Sequence, residues 1–262
     1  MVPLALFACQ PAETTETDDA NGSVDYSGQV VWVTDGDTIV VELAGGRQVD
    51  VRLVGVNAPD SAECFYSEAT SFLIELVKGA DVGLDDLGLD QFGRTLAYVW
   101  SGTDFVNERL VSTGHAIATT PRDDETHGSD LIGAETAAFE SGAGLWNAES
   151  CGVGALPAVS IDTSKSVFNP SGPDDEVLDQ EVLVLVNSGS VAVELAGWTL
   201  RDESSRHRFR FGNDALIQPG GRIMIASSDP RWDPGSTPVW NNGGDMALLL
   251  DRSGRVVDRW RY

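Results

Sequence analysis

The sequence predicts two folded units in series: a small α+β barrel carrying three helices, then an all-β sandwich. Three observations carry this. Residues 24–54 alternate apolar and polar positions as strands do, broken by tight turns. Helical spacing appears three times before residue 150 and not after it. Between the two textures lies "GVGALPAV", residues 152–159, small residues with one proline that read as a linker. The predicted units are residues 24–152 and 159–262, joined by 153–158 and preceded by a tail, 1–23. A chain of 262 residues with 42% apolar content is long enough for two such cores.

In chain order, Val30, Trp32 and Thr34 lead a strand into "DGD", residues 35–37, a turn signal. Ile39, Val41 and Leu43 share one face of the next strand. "AGGR", residues 44–47, turns the chain back, and Val49, Val51 and Leu53 return. Over 67–78 the period becomes helical, with Ala69, Phe72, Leu73, Leu76 and Val77 on one stripe and Gly79 as the stop. A strand near 96–100 precedes a short helix over 107–113, ended by Gly114. A third helix covers 129–142, with Leu131, Ala134, Ala138 and Phe139 on one side. Short strands in a barrel with three interspersed helices make an OB-like α+β domain. Beyond the linker, "EVLVLVN", "VAVELAGWTL", "HRFRF", "RIMIAS", "MALLL" and "VVDRW" are short strands parted by Gly, Pro, Asn and Asp turns, the pattern of a sandwich. Trp198 and Trp240 are expected in its core, and His115 and His127 are assigned no chemistry.

The formal net charge is -24, unevenly spread. Residues 24–152 hold 22 acidic against 6 basic side chains, and residues 153–262 hold 15 against 11. Long-range steering of nucleic acid is therefore unfavourable at low salt. Only Lys78 and Lys165 are lysines. An acidic, lysine-poor chain is one a salty medium tolerates, because repulsion there is screened over a few ångström.

The N-terminus, "MVPLALFACQ", has a short apolar run ending at Cys9. "LFAC" resembles the lipobox of bacterial lipoproteins, which implies lipidation of Cys9, export and a membrane contact through that lipid. The run lacks a positive leader and is shorter than the usual apolar region. The polar, Thr-rich segment after it is expected to be a tether. An oxidising compartment would let Cys64 and Cys151 pair, closing a loop worth about 4–5 kcal/mol in the chain-entropy model; the alternative is two buried thiols.

Phosphodiester cleavage needs oxygen ligands for a hard cation, a carboxylate to direct water, and cationic donors for the charge that develops on phosphate. Arginine suits the last task because its fork is bidentate and always charged. "DGDTIV", "VRLVGVNAPD", "DQFGRTLAYV", "VNERLVSTGHA" and "GLW" carry these parts between residues 30 and 146. Together and in order they resemble the staphylococcal nuclease (thermonuclease) family. The resemblance implies a five-stranded OB barrel with three helices and calcium-dependent hydrolysis of DNA and RNA, leaving 3′-phosphorylated products. It also implies roles. Asp37 matches a direct calcium ligand and Asp35 its supporting neighbour. Arg52 and Arg94 match the phosphate-binding arginines. Asn57 stands where the family has a second ligating aspartate, and Ala58 where a backbone carbonyl ligates. Asp60 stands where a glutamate acts on the attacking water, Phe92 where a tyrosine meets the nucleotide, and Gln91 where a lysine contacts its phosphate. Four side chains depart from the pattern. Asn57 offers calcium an oxygen without a charge, Asp60 is one methylene short, Phe92 lacks a hydroxyl, and Gln91 lacks a cation.

"AGWTLRDESSRHRFRF", residues 196–211, with "LIQPGGRIMIA" and "WNNGGDMALLLDRSG", resembles the lamin tail domain. That resemblance implies an immunoglobulin-like sandwich with a binding or tethering role. Alternation in "RHRFRF" places His207, Phe209 and Phe211 on one face and Arg206, Arg208 and Arg210 on the other. The arginine row is expected to be a solvated outer face, with phosphate binding the sharper alternative. The sequence as a whole thus predicts an exported, lipid-anchored, calcium-dependent nuclease at the cell surface, its sandwich tethered to a surface ligand. The competing readings are a catalytically weakened binding module, marked by Asn57 and Asp60, and a surface scaffold.

Overall fold

The computed structural model describes residues 25–120, 126–147, 149–150, 157–235 and 237–262. The expected lipidation at Cys9, the tail and most of the linker lie outside the described residues.

In the first unit, β1 (Tyr26–Val33), β2 (Thr38–Leu43) and β3 (Gln48–Leu53) form an antiparallel meander. A two-residue strand β4 (Val56–Asn57) leads to α1 (Tyr66–Val77), which is followed by β5 (Asp81–Leu89) and β6 (Thr95–Ser101). β5 joins β1 to β6, and β6 pairs in parallel with β3, closing a five-stranded barrel. β7 (Asp104–Phe105), α2 (Val106–Ser112), β8 (Ile117–Ala118) and α3 (Gly128–Ser141) complete the unit. The three helices fall within a residue of their expected bounds. α1 buries Ala69, Leu73 and Val77, one stripe at helical spacing, against the barrel core of Ile39, Val41, Leu53, Leu84 and Tyr98.

One strand goes unannounced and one expectation needs correction. The sequence pattern does not announce β5, since "DVGLDDLGL" is dense in Asp and Gly, which depress strand propensity. The strand holds because both its edges are paired. Phe139 is not in the helical core; it is 46% exposed, with the Arg259 guanidinium 3.9 Å from its ring. The buried stripe of α3 instead includes Glu135.

In the second unit, β9 (Val159–Ile161) and β10 (Val182–Asn187) are followed by a short pair partner β11 (Val193–Glu194), then β12 (Thr199–Arg201) and β13 (Arg208–Arg210). β14 (Leu216–Ile217), β15 (Arg222–Ala226), β16 (Trp232–Asp233), β17 (Met246–Leu250) and β18 (Val256–Arg261) complete it. A three-stranded sheet, β15-β10-β9, and a five-stranded sheet, β16-β13-β12-β17-β18, form the layers of a sandwich, with β11–β14 as a third small pair. Trp198, Phe209, Trp232 and Trp240 fill the core, as expected for both Trp198 and Trp240.

β17 explains how the units meet. "MALLL" is buried at all five positions instead of alternating. Ala247 and Leu249 face the sandwich core, while Met246, Leu248 and Leu250 pack with Ile117 and Leu145 of the first unit. A strand apolar on both faces is one covered on both faces. Around this seam, Glu135 of α3 is fully buried and meets Arg259 at 3.4 Å and Arg261 at 3.1 Å. Arg261 also donates to the Ala118 carbonyl and pairs with Glu203, which in turn accepts from the Thr120 N–H at 2.6 Å.

Candidate active site between the two units

The site begins at the β1–β2 turn. Asp35 accepts the Asp37 N–H at 3.1 Å, which folds "DGD" back on itself. Gly36 is required by a close approach: a Cβ there would lie 2.7 Å from Ala58 Cβ and 2.9 Å from Ala69 Cβ. The turn therefore presses Asp37 against the loop after β3. Asp37 is buried, accepts the Ala58 N–H at 2.7 Å and the Thr38 hydroxyl at 3.1 Å, and pairs with Arg52 at 3.1 Å. Burial pushes its carboxyl up; Arg52 pulls the other way and Asp35 adds to the rise, leaving it at about 6.

Arg52 leaves the end of β3 and is held tightly. Its Nη1 donates to the Leu53 carbonyl at 2.6 Å and the Val56 carbonyl at 2.8 Å, and its Nη2 to Asn57 Oδ1 at 2.9 Å. Both Nη groups are thus engaged within the loop they organise. Buried Asn107 of α2 fixes the same loop, donating to the Val54 carbonyl at 2.8 Å and accepting the Val99 N–H at 3.0 Å.

Arg94 comes from the β5–β6 turn. Asp90 accepts the N–H groups of Phe92 and Arg94, each at 2.9 Å, and pairs with Arg94 Nε at 2.7 Å. The turn so built leaves Phe92 75% exposed, with the Arg94 guanidinium 5.5 Å from its ring. Arg52, Gln91, Phe92 and Arg94 all border one cleft with Asp35 and Asp37.

Asn57 and Asp60 are both also engaged by the second unit. Asn57 is buried and donates its amide N–H groups to the Glu203 carbonyl at 3.0 Å and the Ser205 hydroxyl at 2.8 Å. An aspartate in its place would face a carbonyl with no proton to give. The asparagine is thus fitted to its neighbour, not merely a weakened ligand. Asp60 pairs with Arg208 of β13 across the cleft. Glu63, which the motifs do not single out, is buried and meets Arg201 and Arg208, each at 2.8 Å. Burial works to raise the Glu63 pKa, but the two arginines overcome it and hold it below the ordinary carboxylate value. Gly254 lets the chains meet, since a Cβ there would lie 2.5 Å from Glu63 Cα, and its φ is 74°. Cys64 lies beside it, and Cys9 and Cys151, the latter its expected partner, both lie outside the described residues.

The arginine row is therefore not simply solvated. Arg208 has 18% of its side chain exposed and is spent on carboxylates, while Arg206 and Arg210 are exposed and border the same cleft. The two histidines pack as structural groups: His115 stacks on Phe72 at 4.0 Å, and His127 lies edge-on to Tyr98 at 4.8 Å. Glu63 gives no periodic signal, but the unbroken apolar run of β17 does announce a second covered face.

Comparison with known proteins agrees with this picture. Residues 50–148 match the family model described as staphylococcal nuclease homologue, and residues 157–262 match the lamin tail domain model. A thermonuclease from Staphylococcus hyicus is 37% identical over 98 residues, covering 34% of this chain and 57% of that protein. A micrococcal nuclease from Shigella flexneri is 38% identical over 77 residues, covering 29% of this chain and 44% of that protein. An uncharacterized endonuclease from Haemophilus influenzae is 31% identical over 118 residues, covering 45% and 65%. The chain thus spans roughly half the length of these curated relatives. Barrel, sandwich and both family matches converge: the chain carries a staphylococcal nuclease-type domain followed by a lamin tail domain.

Proposed function

We propose that this chain is a calcium-dependent nuclease that hydrolyses phosphodiester bonds of flexible DNA or RNA. The observation that carries the reading is one cleft, of about 900 Å³, bordered by Asp35, Asp37, Arg52, Asp60 and Arg94 together. Thermonuclease and micrococcal nuclease relatives support the same chemistry for the first domain.

The oxygen donors suit a hard cation. Asp37 Oδ2 and Asn57 Oδ1 both contact Arg52 Nη2, at 3.1 and 2.9 Å, so the pair already embraces a positive group. With the Ala58 carbonyl they would hold calcium, while Asp35 keeps the turn in shape. Asn57 brings an oxygen without a charge, so such a site would hold calcium weakly. Bound calcium would polarise the phosphate and neutralise its charge. Arg52 and Arg94 bind the phosphate oxygens and meet the charge that grows on them. Phe92 offers an exposed ring to a base. Asp60 directs the attacking water once it parts from Arg208.

Export is part of the proposal. The apolar run before Cys9 supports an oxidising compartment, with Cys64 and Cys151 as a pair and Cys9 as a lipid anchor. No helix among the described residues is long and apolar enough to cross a membrane. The second reading, a binding module, is favoured by one observation: Asp60 and Asn57 are both occupied by the lamin tail domain. Incubating the protein with denatured DNA, with calcium or a chelator and over a range of salt, separates the two. Calcium-dependent cleavage is expected, and its absence at every salt concentration would leave the binding reading.

A further inference from the structure

Of the ten arginines in residues 157–262, seven are ion-paired among the described residues. Arg206 and Arg210 are not among them, and both border the cleft that Arg52 and Arg94 also border. In a chain this acidic, two cations without an ion-pair partner on one cleft are a specific feature. Their placement follows from packing. Phe209 is fully buried and His207 nearly so, which anchors the strand and turns the intervening arginines outward. His207 is held by Asp202 at 3.0 Å, and β13 is paired on both sides, by β12 and β16. Arg208, tied to Asp60 and Glu63, fixes the row against the nuclease domain. Arg206 and Arg210 are four residues apart with Arg208 between them, so extended chain sets them ~13 Å apart, comparable to two successive phosphate steps of an extended single strand.

We infer that the lamin tail domain supplies one wall of the substrate cleft, with Arg206 and Arg210 gripping the phosphates of a single nucleic acid strand that runs between the domains. This rests on the nuclease reading of the cleft and deepens it. Among the described residues, the cations that the first domain brings to the cleft are Arg52 and Arg94, and both are restrained by carboxylates. The second domain brings the free cations. Sequence-independent grip on phosphate needs no base contact, so the wall would favour any flexible single strand.

The test is anisotropy of a labelled oligothymidylate with the full chain in chelator, where cleavage cannot occur, from low to moderate salt. The Arg206→Ala/Arg210→Ala chain is expected to bind several-fold more weakly. Its slope of log affinity against log salt should shrink by about 0.7 for each phosphate that the variant no longer neutralises. A Lys165→Ala/Arg252→Ala chain, which removes the same charge elsewhere on the second domain, is expected to keep both affinity and slope. Unchanged binding in the first variant, an equal weakening in the second, or no binding by the wild-type chain at low salt would each overturn the inference. With calcium present, KM should rise more than kcat falls. Arginine-dependent binding without any cleavage would sink the nuclease reading and leave this wall standing; full cleavage with arginine-independent binding would do the reverse.

Discussion

The two ends of the segment from Arg52 to Asp60 are built by different means. At the Arg52 end every contact comes from the barrel itself: Asp37, the carbonyls of Leu53 and Val56, and Asn57 Oδ1. At the Asp60 end the contacts come from the lamin tail domain, nearly 150 residues away in sequence: Arg208 on Asp60, Arg201 and Arg208 on Glu63, Ser205 on Asn57. One half of the site is thus made by local folding and the other by docking. Asn57 sits at the join, its oxygen serving the first half and its nitrogen the second. A position that departs from its family's charge here does so where the neighbour requires a donor.

The sharpest way to break the docked half is Glu63→Ala, which leaves Arg201 buried without its partner. The loss should be about 3–5 kcal/mol, read by denaturant unfolding of the full chain; a change under ~1 kcal/mol would show that the arginines are better solvated than their burial suggests. On the local half, Arg52→Ala should lower kcat/KM on denatured DNA by about 100- to 1,000-fold. Retained activity would mean that Arg52 only organises the loop. Asn57→Asp joins the two effects. It should cost about 1–3 kcal/mol of stability by setting a carboxylate against the Glu203 carbonyl, while calorimetry should show tighter calcium binding. Stability and affinity that rise together would refute the role given to the amide.

A further effect is a slope with pH. Burial, with Glu203 and Asp202 nearby, pushes the Asp245 carboxyl up to about 7. The native state then keeps a proton that the unfolded chain has released. This group's contribution is complete below the ordinary carboxylate value and fades as pH rises toward 7. Unfolding free energy should decline from pH 4 to 7, and carbon NMR should place the Asp245 titration near the upper end. Titration near the ordinary value would remove the effect.

Much of the local half is legible in the sequence. "DGD" announces its turn, the helical stripes give three helices, and Arg52 and Arg94 stand where the motifs put them. The docked half is not, because no local rule links Asp60 to Arg208 or Asn57 to Ser205. Alternation in "RHRFRF" tells correctly which side chains share a face, yet the expectation of a solvated row fails at Arg208, which meets the other domain. β5 is hidden for another reason: its Asp and Gly residues oppose a strand, and only two paired neighbours overrule them.

β17 has a consequence for how the molecule comes apart. Because its two faces belong to two different cores, neither core can open without exposing the other. Thermal melting should therefore be a single calorimetric transition, and limited proteolysis should yield no long-lived fragment of either part. A protein with two family signatures would then behave, thermodynamically, as one cooperative unit.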